Sequence, residues 1–218
     1  MPDLSFQILG TESGARGLTP LLYFKLRITS TPSDEKVEAI LLRTQIQFEP
    51  ARRTYTAAEK ETLGELFGTP DRWGQTLRNK LWAHVDISVP PFAGQVDVRL
   101  PVVCTYDLNI LATKYLHALQ QGDVSLLFLF SGTVFHTSET GRLQVHQVSW
   151  EKECQHTMPV QAWQELMEQC YPRSAWITLH RDVFDRVYAY KRRHGLASWE
   201  DALDRLLATK DAKEEVGV

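Results

Sequence analysis

Leu22-Tyr-Phe-Lys-Leu-Arg-Ile28 is the stretch that decides the fold. Apolar Leu22, Phe24, Leu26 and Ile28 alternate with Tyr23, Lys25 and Arg27. Successive side chains on a strand point to opposite faces, so a period of two predicts a strand with one buried and one wet side. The period recurs in Ile40, Leu42, Ile46 and Phe48 against Arg43, Gln45 and Gln47. It recurs again in Leu81, Ala83, Val85, Ile87 and Val89 against Trp82, His84, Asp86 and Ser88, and in Val96, Val98 and Leu100 against Gln95, Asp97 and Arg99. Clean alternation over several segments favours antiparallel sheet with one solvated face over a parallel, doubly wound core. The expected fold is therefore α+β: an antiparallel β-sandwich or curled antiparallel sheet, with helices mainly at the C-terminal end.

Val124–Phe135 departs from this pattern, because Leu126 to Phe130 is apolar at every position. Such a run predicts the central strand, covered on both faces, with Gly132 marking a bulge. A turn over Ser138 to Gly141 and a strand over Leu143–Val148 complete an expected hairpin. Thr56-Ala-Ala-Glu59 has the capping-box spacing and opens a short helix ending near Gly68. Asp107 is placed to cap a second helix with the stripe Leu108, Leu111, Ala112, Tyr115, Leu116 and Leu119, stopped at Gly122, although its first turn can instead continue the strand through Val102–Tyr106. Beyond Pro159 the period becomes 3.6: Trp163, Leu166, Met167 and Cys170, then Val183, Phe184, Val187 and Tyr188, then Trp199, Ala202, Leu203, Leu206 and Leu207. The expected organisation is a β domain with short inserted helices over 1–158 and a helical segment over 159–218 packed on it, together one structural domain.

Charge and cysteine content narrow the function classes. With 24 Lys and Arg against 27 Asp and Glu, the net charge is −3. That lacks the basic footprint of non-specific nucleic-acid binding, so no nucleic-acid partner is expected. The apolar run within Leu126–Phe130 falls far short of the roughly 20 residues that span a bilayer, so no membrane insertion is expected. Cys104, Cys154 and Cys170 are odd in number and widely spaced, which argues against a disulfide framework and for a reduced, cytoplasmic setting.

Candidate sites are few. Zinc sites show closely paired ligands such as Cys-x2-Cys, and none occurs. Cys154 and His156 share a strand face and form the best available metal pair, with Cys170 or His146 as further ligands, but small buried thiols beside an incidental histidine explain them as well. Ser131-Gly-Thr133 with His136 nearby lacks the Gly-x-Ser-x-Gly elbow of a nucleophilic serine. Cys104, Tyr106, Asp107 and His117 are the best reactive set: a thiol ahead of a helix N-terminus can be activated there. No phosphate loop is present and no cofactor is expected. Arg52 and Arg53 beside Tyr55 can hold an anion or an acidic partner. The Tyr190–His194 run sits in the last turn of a helix, where cations offset the helix dipole. Among the six tryptophans, Trp163, Trp176 and Trp199 read as core. Trp82 reads as lying on the polar side of its strand with His84 and Asp86, under a cover supplied by this chain or a partner.

Several strings together resemble a known family: Gln45-Ile-Gln-Phe-Glu-Pro-Ala-Arg-Arg-Thr-Tyr55, Leu81-Trp-Ala-His-Val85, Cys104-Thr-Tyr-Asp107, Lys114-Tyr-Leu-His-Ala-Leu119 and Leu129-Phe-Ser-Gly-Thr-Val-Phe135. They are similar to an uncharacterised bacterial family, a domain of unknown function from nickel–iron hydrogenase gene neighbourhoods. The resemblance runs from Leu4 through the Trp199 helix. It implies an accessory role in hydrogenase assembly or maturation, while the lack of paired cysteines weighs against metal delivery by this chain. The expectation is a non-catalytic interaction protein that presents Arg52, Arg53, Tyr55, Trp82 and His84 to a protein partner. The alternatives are an enzyme using the Cys104–Asp107 region and a small-ligand-binding β-sandwich.

Overall fold

A computed structural model describes residues 2–16, 19–108, 110–138 and 140–215. In chain order its elements begin β1 (Asp3–Arg16), β2 (Thr19–Thr31), β3 (Lys36–Phe48), α1 (Ala57–Phe67), α2 (Trp73–Thr76), β4 (Lys80–Val89), β5 (Phe92–Ala93) and β6 (Gln95–Val103). They continue with α3 (Leu111–Ala118), β7 (Asp123–Thr137), β8 (Leu143–Gln147), β9 (Glu153–Pro159), α4 (Val160–Cys170), α5 (Arg181–Arg193) and α6 (Trp199–Glu215). The chain divides into two compact units, Met1–Trp176 and Ile177–Val218. The first therefore runs past residue 158 and takes in α4. Among the described residues, no helix is long and apolar enough to cross a membrane.

The first unit is an antiparallel β-sandwich. One sheet has the order β1-β2-β6; the other has the order β4-β3-β7-β8, with β5 on β3 and β9 on β7. Leu22, Phe24, Leu26 and Ile28, the inward residues of β2, are fully buried. Rings join the two sheets: Phe6 stacks on Phe130 at 4.3 Å between centroids, and Phe24 meets Phe128 edge-on at 5.1 Å. Burying each such side chain stabilises by about 1.5–3 kcal/mol, and the interior of the sandwich is filled with them. On the wet side of β2, Arg27 holds Asp97 through two bonds of 2.8 and 2.7 Å. Pro101, which cannot donate to a ladder, lies on β6, an edge strand.

β7 is central, as its apolar run requires. It pairs with β3 along one side and with β9 and β8 in succession along the other. Its two faces are not equally covered. Val124, Leu126, Phe128 and Phe130 are buried between the sheets, whereas Leu127 and Leu129 on the other face are only half-buried. No bulge occurs at Gly132: its pairing with Leu42 is in unbroken register, and its φ is +145°. A Cβ there would lie 2.1 Å from the Leu41 carbonyl oxygen, so the glycine serves a close approach between two backbones. In the hairpin turn, the Gly141 amide donates to the Ser138 carbonyl at 2.8 Å; Glu139 lies outside the described residues.

The largest departure from simple alternation is in β4. Ile46 pairs with Ala83 and Gln47 with Leu81, leaving Trp82 as an extra residue in a β-bulge. An inserted residue reverses the faces of everything on one side of it. Leu81, expected inside, is therefore turned out and is 49% exposed. Trp82, expected on the polar face with His84 and Asp86, turns in instead. It stacks on Phe48 at 4.9 Å and meets Phe24 edge-on at 5.9 Å. Its cover is intramolecular.

α1 opens with the expected capping box. The Glu59 amide donates to the Thr56 hydroxyl at 3.2 Å and the Thr56 amide donates to the Glu59 carboxylate at 2.8 Å. Asp107 is not a helix cap: α3 begins at Leu111 after Ile110, and Asp107 forms an isolated bridge with Trp176. In the second unit, Ser198 and Asp201 form a reciprocal cap at 2.9 and 3.1 Å. Lys191 donates to the Leu196 and Ala197 carbonyls at 2.9 and 2.8 Å, so that lysine of the basic run has a structural task at a helix end. Of the tryptophans read as core, Trp163 is buried, but Trp176 and Trp199 stay 51% and 38% exposed.

Candidate functional site

The wet face of β4-β3-β7-β8 is where chemistry-bearing and apolar side chains gather in the open. Register places Ala39, Phe135 and Val145 in one row across β3, β7 and β8. Leu41, Thr133 and Gln147 form the next row, and Thr137 with Leu143 the row on the other side. Leu143, Val145 and Leu41 are 64%, 57% and 55% exposed. Three aliphatic side chains on adjacent rows of one sheet face, with half-buried Phe135 among them, make a contiguous apolar patch.

Polar groups border it. Arg43 grips Asp86 through bonds of 2.7 and 3.0 Å, and this fork–fork pair keeps both charges fixed while still in water. The arginine beside it holds the Asp86 carboxyl below its usual range, chiefly through that hydrogen bond. A shallow depression of about 530 Å³ runs between Leu41, Arg43, Asp86, Ser88, Ser131 and Gln147. At the far edge of the sheet, in the turn joining β8 to β9, Trp150 is 91% exposed. The Lys152 amide closes that turn on the Ser149 carbonyl at 3.1 Å, and the Phe130 amide of β7 donates to the Lys152 carbonyl at 2.9 Å, so the tryptophan is held on an ordered tip.

The five residues expected to form a binding surface are not brought together. His84 is exposed on this face, and Arg52 is exposed beside Glu49 at 3.1 Å. Trp82 faces inward. Arg53 is buried: it pairs with Glu59 at 2.6 Å and donates to the Asp123 carbonyl at 2.8 Å and to that of Gln121. Tyr55 is buried as well, its hydroxyl donating to the Pro50 carbonyl at 2.8 Å and accepting from Tyr115 at 2.9 Å. The residues missed were Leu41, Val145, Leu143 and Trp150. Leu41 had a signal, being an aliphatic residue on the polar side of an otherwise alternating strand.

Neither do the four residues of the expected reactive set converge. Cys104 is buried, its thiol pointing at the Val102 carbonyl at 3.8 Å, and burial pushes it up to about 12. A thiol so raised holds almost no thiolate at neutral pH. Tyr106 stacks flat on Tyr171, while His117 is exposed in the last turn of α3. A thiol-directed reagent at pH 8 is expected to leave Cys104 unlabelled in the folded protein and to label it after denaturation. Folded-state labelling of Cys104 as fast as a free thiol would contradict this placement. Cys154 and His156 do share an inward face of β9. Burial raises Cys154 to about 11 and lowers His156, whose Nε2 lies 3.1 Å from the Thr11 hydroxyl. Among the described residues, no group of three or more His, Cys, Asp or Glu side chains is placed to hold a metal ion.

Comparison with known proteins adds a family. No curated protein matches the chain. Among solved structures, the chain is similar to a β-glucosidase from Kluyveromyces marxianus, at 10% identity over 72% of this chain and 15% of that one, with a TM-score of 0.26. That likeness bears on neither fold nor activity. The chain belongs to the family of unknown function DUF6084, whose model matches residues 1–215.

Proposed function

We propose that this DUF6084 protein is a non-catalytic interaction protein that docks a protein partner on the wet face of β4-β3-β7-β8. The observation that carries the reading is the exposed apolar patch of Leu41, Leu143 and Val145, bordered by the Arg43–Asp86 pair, with exposed Trp150 in the turn that follows β8. Apolar centre, polar rim and a projecting tryptophan are the ingredients of a protein interface, in which a few aromatic and aliphatic anchors carry most of the energy. A rigid sheet face also presents them with little ordering cost on binding. The partner we propose is a component of nickel–iron hydrogenase assembly or maturation, a choice that rests on the family resemblance of the sequence strings.

The test is affinity isolation of the tagged chain from a bacterium carrying both its gene and hydrogenase genes. A hydrogenase or maturation component is expected in stoichiometric amount with the wild type. The Leu41→Asp/Val145→Asp variant, with an unchanged circular dichroism spectrum, is expected to lose it. Trp150→Ala is expected to weaken the complex by about 2 kcal/mol, roughly 30-fold. If no protein is recovered in stoichiometric amount, or if the variants hold the partner as well as the wild type does, the reading fails.

A further inference from the structure

Behind the patch, on the inner side of β8, lies a cluster of titratable side chains that the docking reading does not use. His136 of β7 and His146 of β8 meet edge to face with ring centroids 5.0 Å apart. His136 is 2% exposed. Its Nδ1 lies 2.7 Å from the Glu35 carboxylate, close enough for a charge pair though off the line of a straight hydrogen bond. The Nδ1 of His146 is buried with no hydrogen-bond partner among the described residues. His136 and Glu35 line a depression of about 820 Å³ to which Asp34, Lys36 and Glu38 also contribute. Glu38 is engaged by Lys36 at 2.9 Å and by the Thr137 hydroxyl at 2.8 Å.

The Glu35 carboxylate lies against His136. A proton taken up by His146 would sit in a half-buried setting that disfavours charge. Burial, then His136, hold His146 below the ordinary histidine range; Glu35 and a hydrogen bond to the Pro2 carbonyl oppose them. His146 is carried on a short strand at the edge of the sheet. β8 has five residues and sits at the end of its sheet, paired with β7 on one side. Its outward Leu143 and Val145 are exposed, and within the five residues His146 is the half-buried inward side chain, with Val148 buried just beyond it.

We infer that the His136–His146–Glu35 cluster makes β8 an acid-released strand, seated at neutral pH and detached in mild acid as His146 takes up a proton. For its consequence the inference rests on the docking reading: Leu143 and Val145 leave the patch with β8, and the partner is released. The sign is that of a histidine disfavoured as a cation when folded. Its contribution to holding β8 is complete above about pH 6.5 and is lost as pH falls below that value.

Amide hydrogen exchange of the full chain without partner, corrected for intrinsic rates, tests the inference between pH 7.5 and 5. Protection over residues 143–148 is expected to fall by roughly tenfold per pH unit below about 6.5, the slope of one-proton uptake, while β2 and β3 stay protected. In His146→Leu the pH dependence over 143–148 is expected to vanish. Should that variant not fold, the imidazole carbon shifts of wild-type His146 decide: titration together with the loss of protection supports the inference. Protection that is flat with pH, an unchanged loss in His146→Leu, or a His146 that titrates while β8 stays seated each overturns it. Because no partner is present, any of these results leaves the docking reading standing; failure of the Leu41→Asp/Val145→Asp test would leave the acid release standing.

Discussion

Replacing Arg53 with methionine is expected to destabilise the protein by about 3–5 kcal/mol, the range for removing one partner of a buried ion pair. Arg53 and Glu59 have side chains 8% and 1% exposed and meet at 2.6 Å. The arginine also satisfies the backbone carbonyls of Gln121 and Asp123 that enter β7. Glu59 in turn accepts from the Thr56 amide at 2.8 Å and the Gln120 amide at 2.9 Å, so one carboxylate ties the start of α1 to the segment after α3. Without the guanidinium, that carboxylate is left buried and short of a counter-charge. The double variant Arg53→Met/Glu59→Gln is expected to be less destabilised than the sum of the single changes, because the stranded charge is gone. Urea denaturation of the four proteins checks this, and strict additivity would show that the pair is not coupled.

The same pair sets a pH dependence. Burial works to raise the Glu59 carboxyl, but the Thr56 and Gln120 amides and the Arg53 guanidinium outweigh it and hold the carboxyl below its ordinary value of 4.5. A carboxylate depressed on folding contributes stability that is fully present above that value and is lost as pH falls through the folded one. Wild-type stability is therefore expected to decline as pH falls below 4.5 more steeply than that of Glu59→Gln. Equal slopes would remove Glu59 from the acid transition.

Gly132→Ala is expected to cost about 3 kcal/mol, combining a strained backbone with a contact that the centre of a sheet cannot relax. At φ +145° an L side chain is strained in any surroundings, and here its Cβ would come within 2.1 Å of the Leu41 carbonyl oxygen. Both strands are held in register on either side of the contact, so neither can move alone. Gly141→Ala is the control. It also has a positive φ, at +76°, but meets open space and is expected to cost about 1 kcal/mol. If the two changes shift the urea midpoint equally, the close approach at Gly132 is not what requires glycine.

The elements followed from the residues wherever one local rule was enough. The alternation of Leu22–Ile28, the Thr56–Glu59 cap and the 3.6-residue stripe of α4 each lie within a few positions of chain, and each is present in the structure. The site was less legible. Reading Trp82 with His84 and Asp86 assumed an unbroken period of two, and a single unpaired residue opposite Ile46 and Gln47 reversed it. Arg53 and Tyr55 looked like surface residues because they stand in a polar stretch. Beyond the local Glu59 and Pro50, their partners Asp123, Gln121 and Tyr115 are 60 or more positions away. Leu41 and Val145 are unremarkable in sequence, and only the pairing of β3 with β7 and of β7 with β8 brings them to one face.

What the chain determined by itself, then, was an antiparallel α+β protein with a one-faced sheet and a central strand at Val124–Phe135. Side-chain period and helix capping are properties of consecutive residues, and those features depend on nothing else. Which residues meet, which face a bulge turns outward and which charges lose water depend on contacts between segments far apart in sequence. Only the tertiary structure could turn Arg53, Tyr55 and Trp82 inward and leave Leu41, Leu143, Val145 and Trp150 in the open.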